Sequence, residues 1–229
     1  MRKKNYFIAL IPARKGSKGV KNKNIVKINN KYLIEHTLEQ ALKSKIIDKI
    51  YVSSNDKRIK KITEKFKKVN FLQRKNYLSN SKTLMKKVIL DFFNFLKNSY
   101  DLKIINLVLL QPTSPQRKAK DIDKAIRLFN KQSKYPLISA SEPISNPNDV
   151  VYINKKKLFS LRKTFENKNR QDFKDYLFIN GSIYIANAKN YIKKPNFLTK
   201  NSTIFKMDKK HSIEINDYFD LKIIKEIMK

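Results

Sequence analysis

Short, wholly apolar runs alternate with segments of helical period through most of this chain, and few folds accept such a pattern. Tyr6-Phe7-Ile8-Ala9-Leu10-Ile11, Lys49-Ile50-Tyr51-Val52-Ser53-Ser54, Val69-Asn70-Phe71-Leu72, Ile104-Ile105-Asn106-Leu107-Val108-Leu109-Leu110 and Pro136-Leu137-Ile138-Ser139-Ala140 have the length and side-chain content of strands. Between them apolar residues recur at helical spacing over residues 33–45, 56–68, 84–96 and 119–131. Ser81 is placed to cap the third of these helices. Residues 178–185 resume strand character, residues 212–216 suggest a brief last strand, and a helix over 217–229 is expected to bury Phe219, Ile223, Ile224 and Ile227. The alternation predicts a single α/β domain over 1–229, with a mostly parallel sheet flanked by helices and ligands at the C-terminal ends of the strands. Regularity fades over residues 142–176, which read as an insertion, either a lid or subunit contact or a solvated loop, with short strands at 150–153 and 158–161.

The first apolar run stops at Pro12, which cannot continue a central ladder. The loop beyond it holds Gly16 and Gly19, two of the chain's 3 glycines, together with Arg14, Lys15, Lys18, Lys21 and Lys23. Glycines let backbone amides turn toward a ligand, arginine supplies a two-pronged fork and lysine a point charge, a combination suited to polyphosphate. The spacing fits neither the P-loop nor the dinucleotide fingerprint. On spacing alone, a phosphate cradle and a basic surface turn are equally consistent with it.

Composition removes several function classes. The absence of cysteine excludes disulfides and thiolate metal sites, and with only His36 and His211 a histidine-rich zinc site is excluded too. No apolar run reaches the length of a membrane span and no signal-peptide pattern opens the chain, so a cytoplasmic, membrane-free protein is expected. The 52 basic and 19 acidic residues give a formal charge of +33, which invites a nucleic-acid partner. The lysines are nonetheless spread along the whole chain, without aromatic interleaving or a recognition-helix pattern, and no specific nucleic-acid partner is expected.

Four separated motifs are together similar to those of the acylneuraminate cytidylyltransferase family, and the resemblance covers nearly the full chain. They are Ile11-Pro12-Ala13-Arg14-Lys15-Gly16-Ser17-Lys18-Gly19 with Lys23-Asn24; Leu109-Leu110-Gln111-Pro112-Thr113-Ser114-Pro115 followed by Arg117; Arg170-Gln171; and Asn180-Gly181-Ser182-Ile183-Tyr184-Ile185 with Ser212-Ile213-Glu214-Ile215 up to Asp220. The resemblance implies a Rossmann-like nucleotidyltransferase fold, of the nucleotide-diphospho-sugar transferase type. It also implies transfer of CMP from CTP to a nine-carbon sugar acid of the sialic, legionaminic or pseudaminic kind, release of pyrophosphate, help from Mg²⁺, and a homodimer formed through residues 142–176.

The same resemblance implies roles for single residues. Ala13, Arg14, Ser17, Lys18, Lys23, Asn24 and Ser81 would bind the nucleotide, with Arg14, Lys23 and Glu214 catalytic. Gln111, Ser114, Arg170, Gln171 and Asn180 would meet the sugar, and Glu214 with Asn216 would hold the metal. The family commonly shows an Asp-x-Asp pair at the last two positions; here they are Glu214 and Asn216, and Asp217 lies one residue out of register. The alternatives are a ketodeoxyoctonate-type synthetase, a nucleic-acid-binding protein suggested by the charge, and a non-catalytic sugar-nucleotide binder suggested by the missing second carboxylate.

Overall fold

The computed structural model describes residues 5–132, 134–145, 150–155, 157–160 and 176–229. The chain runs β1 (Tyr6–Pro12), a small hairpin of β2 (Lys27–Ile28) and β3 (Lys31–Tyr32), α1 (Leu33–Lys43), β4 (Lys49–Ser54), α2 (Lys57–Glu64) and β5 (Val69–Gln73). It continues through α3 (Met85–Leu96), β6 (Ile105–Leu110), α4 (Ala119–Lys131), β7 (Leu137–Ser141), the pair β8 (Val151–Asn154) and β9 (Lys157–Ser160), and β10 (Phe178–Asn187). It ends with α5 (Ala188–Lys193), β11 (Thr203–Lys206) and α6 (Tyr218–Ile227).

Seven strands form one sheet in the order β11-β7-β10-β6-β1-β4-β5. β10 alone runs antiparallel to its neighbours, β6 and β7. This reversal brings the first residues of β10 to the edge where the parallel strands end, so the chain around Gly181 faces the loops after β1 and β6. Pleating divides β1 between two cores. Phe7, Ala9 and Ile11 pack with α1, α2 and α4, whereas Ile8 and Leu10 pack with α3 and α5. A smaller core joins Val20, Ile28 and Leu33 to Ile215, Leu221 and Ile224, fixing the glycine loop against the C-terminal helix.

Three expectations require correction. Residues 212–216 form no strand: their alternating pattern meets no neighbouring edge, and Ile215 makes a single backbone bond, to the Thr113 carbonyl at 2.9 Å. Ser81 does not cap α3, which spans Met85–Leu96, because Leu84 holds the cap position three residues further on. Leu221 and Ile224 anchor α6, while Phe219 and Ile227 are 71% and 53% exposed. The expected insertion contains the β8–β9 hairpin within its described part. Among the described residues no helix is long and apolar enough to cross a membrane.

Candidate active site

The loop after β1 is closed upon itself. The Ala13 amide donates to the Ser53 carbonyl at 2.9 Å, continuing the β1–β4 ladder by one bond. The chain then turns at Gly16, whose φ of +72° is a left-handed conformation that glycine adopts without steric cost. The Arg14 guanidinium donates to the carbonyls of Lys15 and Gly16, the Asn24 side-chain amide donates to the Arg14 carbonyl at 3.1 Å, and the Lys15 amide donates to Asn55 Oδ1 at 2.8 Å. Gly19 serves another purpose: a Cβ there would stand 2.1 Å from the Asn216 carbonyl oxygen. The loop and the segment before α6 touch where no side chain fits.

That segment carries Glu214 into the same region. Its Oε1 accepts from the Thr113 hydroxyl at 3.0 Å, and Oε2 has no hydrogen-bond donor among the described residues. A Cβ on Gly181, at φ +66°, would lie 2.8 Å from Oε2, so the missing side chain is the space the carboxylate occupies. Burial raises the Glu214 pKa, against the opposing influence of Thr113 and Lys23. Lys23 Nζ donates to the carbonyls of Ile215 (2.7 Å) and Asn216 (2.8 Å). Burial lowers its pKa, opposed by the charges of Glu214, Asp220 and Asp217. Asp217 and Asp220 are engaged as the α6 cap, accepting from the amides of Phe219 and Asp220 and of Asn216 and Asp217 respectively.

Two clefts meet at this edge of the sheet. One, of about 240 Å³, is walled by Arg14, Ser17, Lys18, Lys23, Asn24, Arg74, Asn80, Thr83 and Thr113, among others, and has no carboxylate in its lining. Arg74 is 4% exposed and donates to the Ser53 hydroxyl (3.1 Å) and carbonyl (2.8 Å). Burial first, and then the positive charge of Arg14, pulls its pKa down to about 10. Four cations in one wall, with Glu214 the neighbour of Lys23, favour an anion inside. The second cleft, of about 620 Å³, is lined by Gln111, Tyr184, Tyr191, Phe197, Leu198 and Lys86, and shares Met85 with the first. Tyr184 also links it to Glu214, whose charge, after burial, raises the tyrosine pKa.

The residues singled out in the sequence divide accordingly. Arg14, Ser17, Lys18, Lys23 and Asn24 share the cationic cleft, with Ala13 buried at its root, and Gln111 faces the second cleft. Glu214 stands beside both through Thr113, Lys23 and Tyr184, whereas Asn216 is exposed two residues further on. Ser81 is exposed and off the wall, which its neighbours Asn80 and Thr83 form instead. Ser114 is buried behind the turn, its hydroxyl without a partner among the described residues. Asn180 is also interior: its Oδ1 accepts from Ser139 Oγ (2.6 Å) and its Nδ2 donates to Ser212 Oγ (3.0 Å), so it joins β7 and β10 to the Glu214 segment. Arg170 and Gln171 lie outside the described residues.

Two residues without an assigned role belong to the assembly. Arg74 lies in a polar loop that offered no sequence signal. Arg117, fully buried, donates from Nη1 to the carbonyls of Gln111 (3.1 Å) and Ser182 (2.7 Å), and from Nη2 to Thr37 Oγ1 (2.8 Å). It thereby pins the turn after β6 to β10 and α1. Its position two residues after the Pro-Thr-Ser-Pro turn was the available clue.

Comparison with known proteins adds relatives and a family. The N-acylneuraminate cytidylyltransferase of Escherichia coli O18:K1:H7 is 31% identical over 223 residues, covering 95% of this chain but 51% of the relative. The CMP-N,N'-diacetyllegionaminic acid synthase of Campylobacter jejuni is 31% identical over 220 residues, covering 95% of this chain and 93% of the relative. The chain thus spans about half the length of the first relative and nearly all of the second. In fold it resembles a solved CMP:2-keto-3-deoxy-manno-octonic acid synthetase complexed with CTP, with a TM-score of 0.71 at 16% identity over 97% of this chain and 98% of that one. The cytidylyltransferase family profile matches residues 8–228, and the chain belongs to the cytidylyltransferase family.

Proposed function

We propose that this protein transfers CMP from CTP to the anomeric hydroxyl of an acylneuraminate-like nine-carbon sugar acid, releasing pyrophosphate. The observation that carries the reading is the cationic cleft, whose walls carry four positive side chains and no carboxylate, with Glu214 beside Lys23 just outside the wall, opening beside a larger and more apolar cleft at the same sheet edge. Arg14, Lys18, Lys23 and Arg74 neutralise the triphosphate, and Ser17 and the loop amides orient it. The second cleft receives the sugar, with its acyl group against Tyr184 and Phe197 and its hydroxyls within reach of Gln111. The sugar hydroxyl forms a bond to the α-phosphorus as the bond to the pyrophosphate oxygen breaks. Glu214, its Oε1 held by the Thr113 hydroxyl, accepts the hydroxyl proton.

Magnesium fits this site in kind. The free Oε2 of Glu214 and the side-chain oxygen of exposed Asn216 are hard oxygen donors on one short segment, and Mg²⁺ commonly takes one or two protein ligands plus water and phosphate. Glu214 and Asn216 would hold it, the carboxylate's several lone pairs leaving room for the proton as well. Bound there, the ion supplies positive charge against the phosphates. The reading also includes a homodimer through the hairpin region, where Val151 and Ile153 are exposed, and a cytoplasmic setting.

The test is pyrophosphate release from CTP with and without Mg²⁺ across sialic, legionaminic, pseudaminic and ketodeoxyoctonic acids. Turnover is expected with at least one nine-carbon acid and only when metal, CTP and acid are all present. No turnover with any acid contradicts the proposal, and preference for ketodeoxyoctonate would transfer it to the eight-carbon class. The second reading, a non-catalytic binder, rests on the single carboxylate at the metal position. A large rise in rate in Asn216→Asp would support it.

A further inference from the structure

α6 has two apolar stripes where one suffices to anchor it. Leu221 and Ile224 face the core, while Phe219, Ile223 and Ile227, spaced i, i+4 and i+8, form a second line along the helix. That second line is open at both ends, with Phe219 71% and Ile227 53% exposed. At the C-terminal end it runs into a groove of about 740 Å³ floored by Ile213, Ile227 and Met228 and edged by Lys118, Lys209 and Lys210. Exposed Lys222 and Lys225 border the helix itself.

Acidic groups nearby are fewer than the lysines, Asp208 being the carboxylate in the groove's lining. Asp208 accepts from the Lys210 amide at 2.8 Å, Asp121 faces His211 at 3.0 Å, and Glu226 pairs with Lys229. The surface is therefore an apolar stripe and groove within a border where lysines outnumber carboxylates. We propose that it is a docking surface for an acidic amphipathic segment of a partner protein, whose apolar side lies along α6 and enters the groove while its carboxylates meet the lysines. Charge selects this occupant. A second copy laid on α6 would oppose these lysines to their own counterparts within a Debye length, about 8 Å at physiological salt. A nucleic acid would match the charge and stack on Phe219, but would leave Ile223, Ile227 and the apolar groove floor unused. The surface also adjoins the site, since the Lys21 amide donates to the Tyr218 hydroxyl at 3.2 Å and Leu221 and Ile224 pack on Val20 and Ile215.

The experiment titrates the full chain with a labelled synthetic acidic helix bearing leucines at i, i+3, i+4 and i+7, and with a scrambled peptide of identical composition. The expected result is saturable binding, at least about tenfold tighter for the amphipathic peptide. The double variants Phe219→Ser/Ile227→Ser and Lys209→Glu/Lys210→Glu should each weaken it by a similar factor, with wild-type melting temperatures confirming that they fold. Equal binding of both peptides, displaced by a DNA oligonucleotide, would overturn the proposal in favour of unselective polyanion attraction. Absence of binding would overturn it outright. A dimer of the wild-type chain that Phe219→Ser/Ile227→Ser dissociates in sedimentation would assign the surface to a second copy instead.

Discussion

Among single residues, the three glycines carry three distinguishable constraints, and alanine at each should separate them. Gly16 needs only its positive φ, since nothing stands within 4 Å of an added Cβ, so Gly16→Ala should cost about 1 kcal/mol and leave turnover measurable. Gly19 needs space: its Cβ would meet backbone at 2.1 Å, and Gly19→Ala should cost about 1–3 kcal/mol and separate the loop from the Glu214 segment. Gly181 needs both, and its alanine variant should displace the Glu214 carboxylate and lose rate out of proportion to stability. Urea midpoints and kcat for the three proteins check the order. Glu214→Gln should lower kcat by about 10²–10⁴ if the carboxylate is the proton acceptor. In the metal-free protein burial raises the Glu214 pKa, and Thr113→Val, which removes a donor that holds it down, should raise it further in an NMR titration of the carboxyl group. An unmoved titration would show that Thr113 does not act on the carboxylate.

At the scale of elements, the turn after β6 depends on Arg117. Removing a wholly buried guanidinium leaves the Gln111 and Ser182 carbonyls and the Thr37 hydroxyl without their donor, so Arg117→Met should cost about 3 kcal/mol or more in urea unfolding. The hairpin β8–β9 carries the dimer in this account, and Ile153→Asp should shift sedimentation toward monomer without lowering the melting temperature. Helices and parallel strands were legible because apolar period reports burial directly: α4 spans residues 119–131, as the spacing predicted. The direction of β10 was not legible, since alternation is the same read either way. α5, six residues long, and the short β11 carry too little pattern to stand out. Residues 212–216 and the outer stripe of α6 misled for one reason: apolar spacing shows that a face can be covered, not that this chain covers it. The cleft was legible where glycines and cations cluster in sequence, at Arg14, Lys18 and Lys23. It was hidden where long-range contacts build it, at Arg74, and where the polar neighbours Asn180 and Ser114 turn inward.

For the molecule as a whole, the charge of +33 sets a background attraction for any polyanion. Its lysines are dispersed, so DNA binding should be sequence-blind and should collapse between about 50 and 200 mM salt, while CTP-dependent turnover persists. Filter binding and the turnover assay, run on the same salt series, check the difference. The central claim is chemical: at the edge where β1, β6 and β10 meet, a sugar hydroxyl attacks the α-phosphorus of CTP. Its most direct test is the reaction of a sugar acid carrying ¹⁸O at the anomeric hydroxyl, followed by mass spectrometry of the products. The account predicts that ¹⁸O is retained in the oxygen bridging sugar and phosphorus of a CMP-sugar, with unlabelled pyrophosphate. Label appearing in the pyrophosphate, or free CMP formed in place of a CMP-sugar, would contradict it.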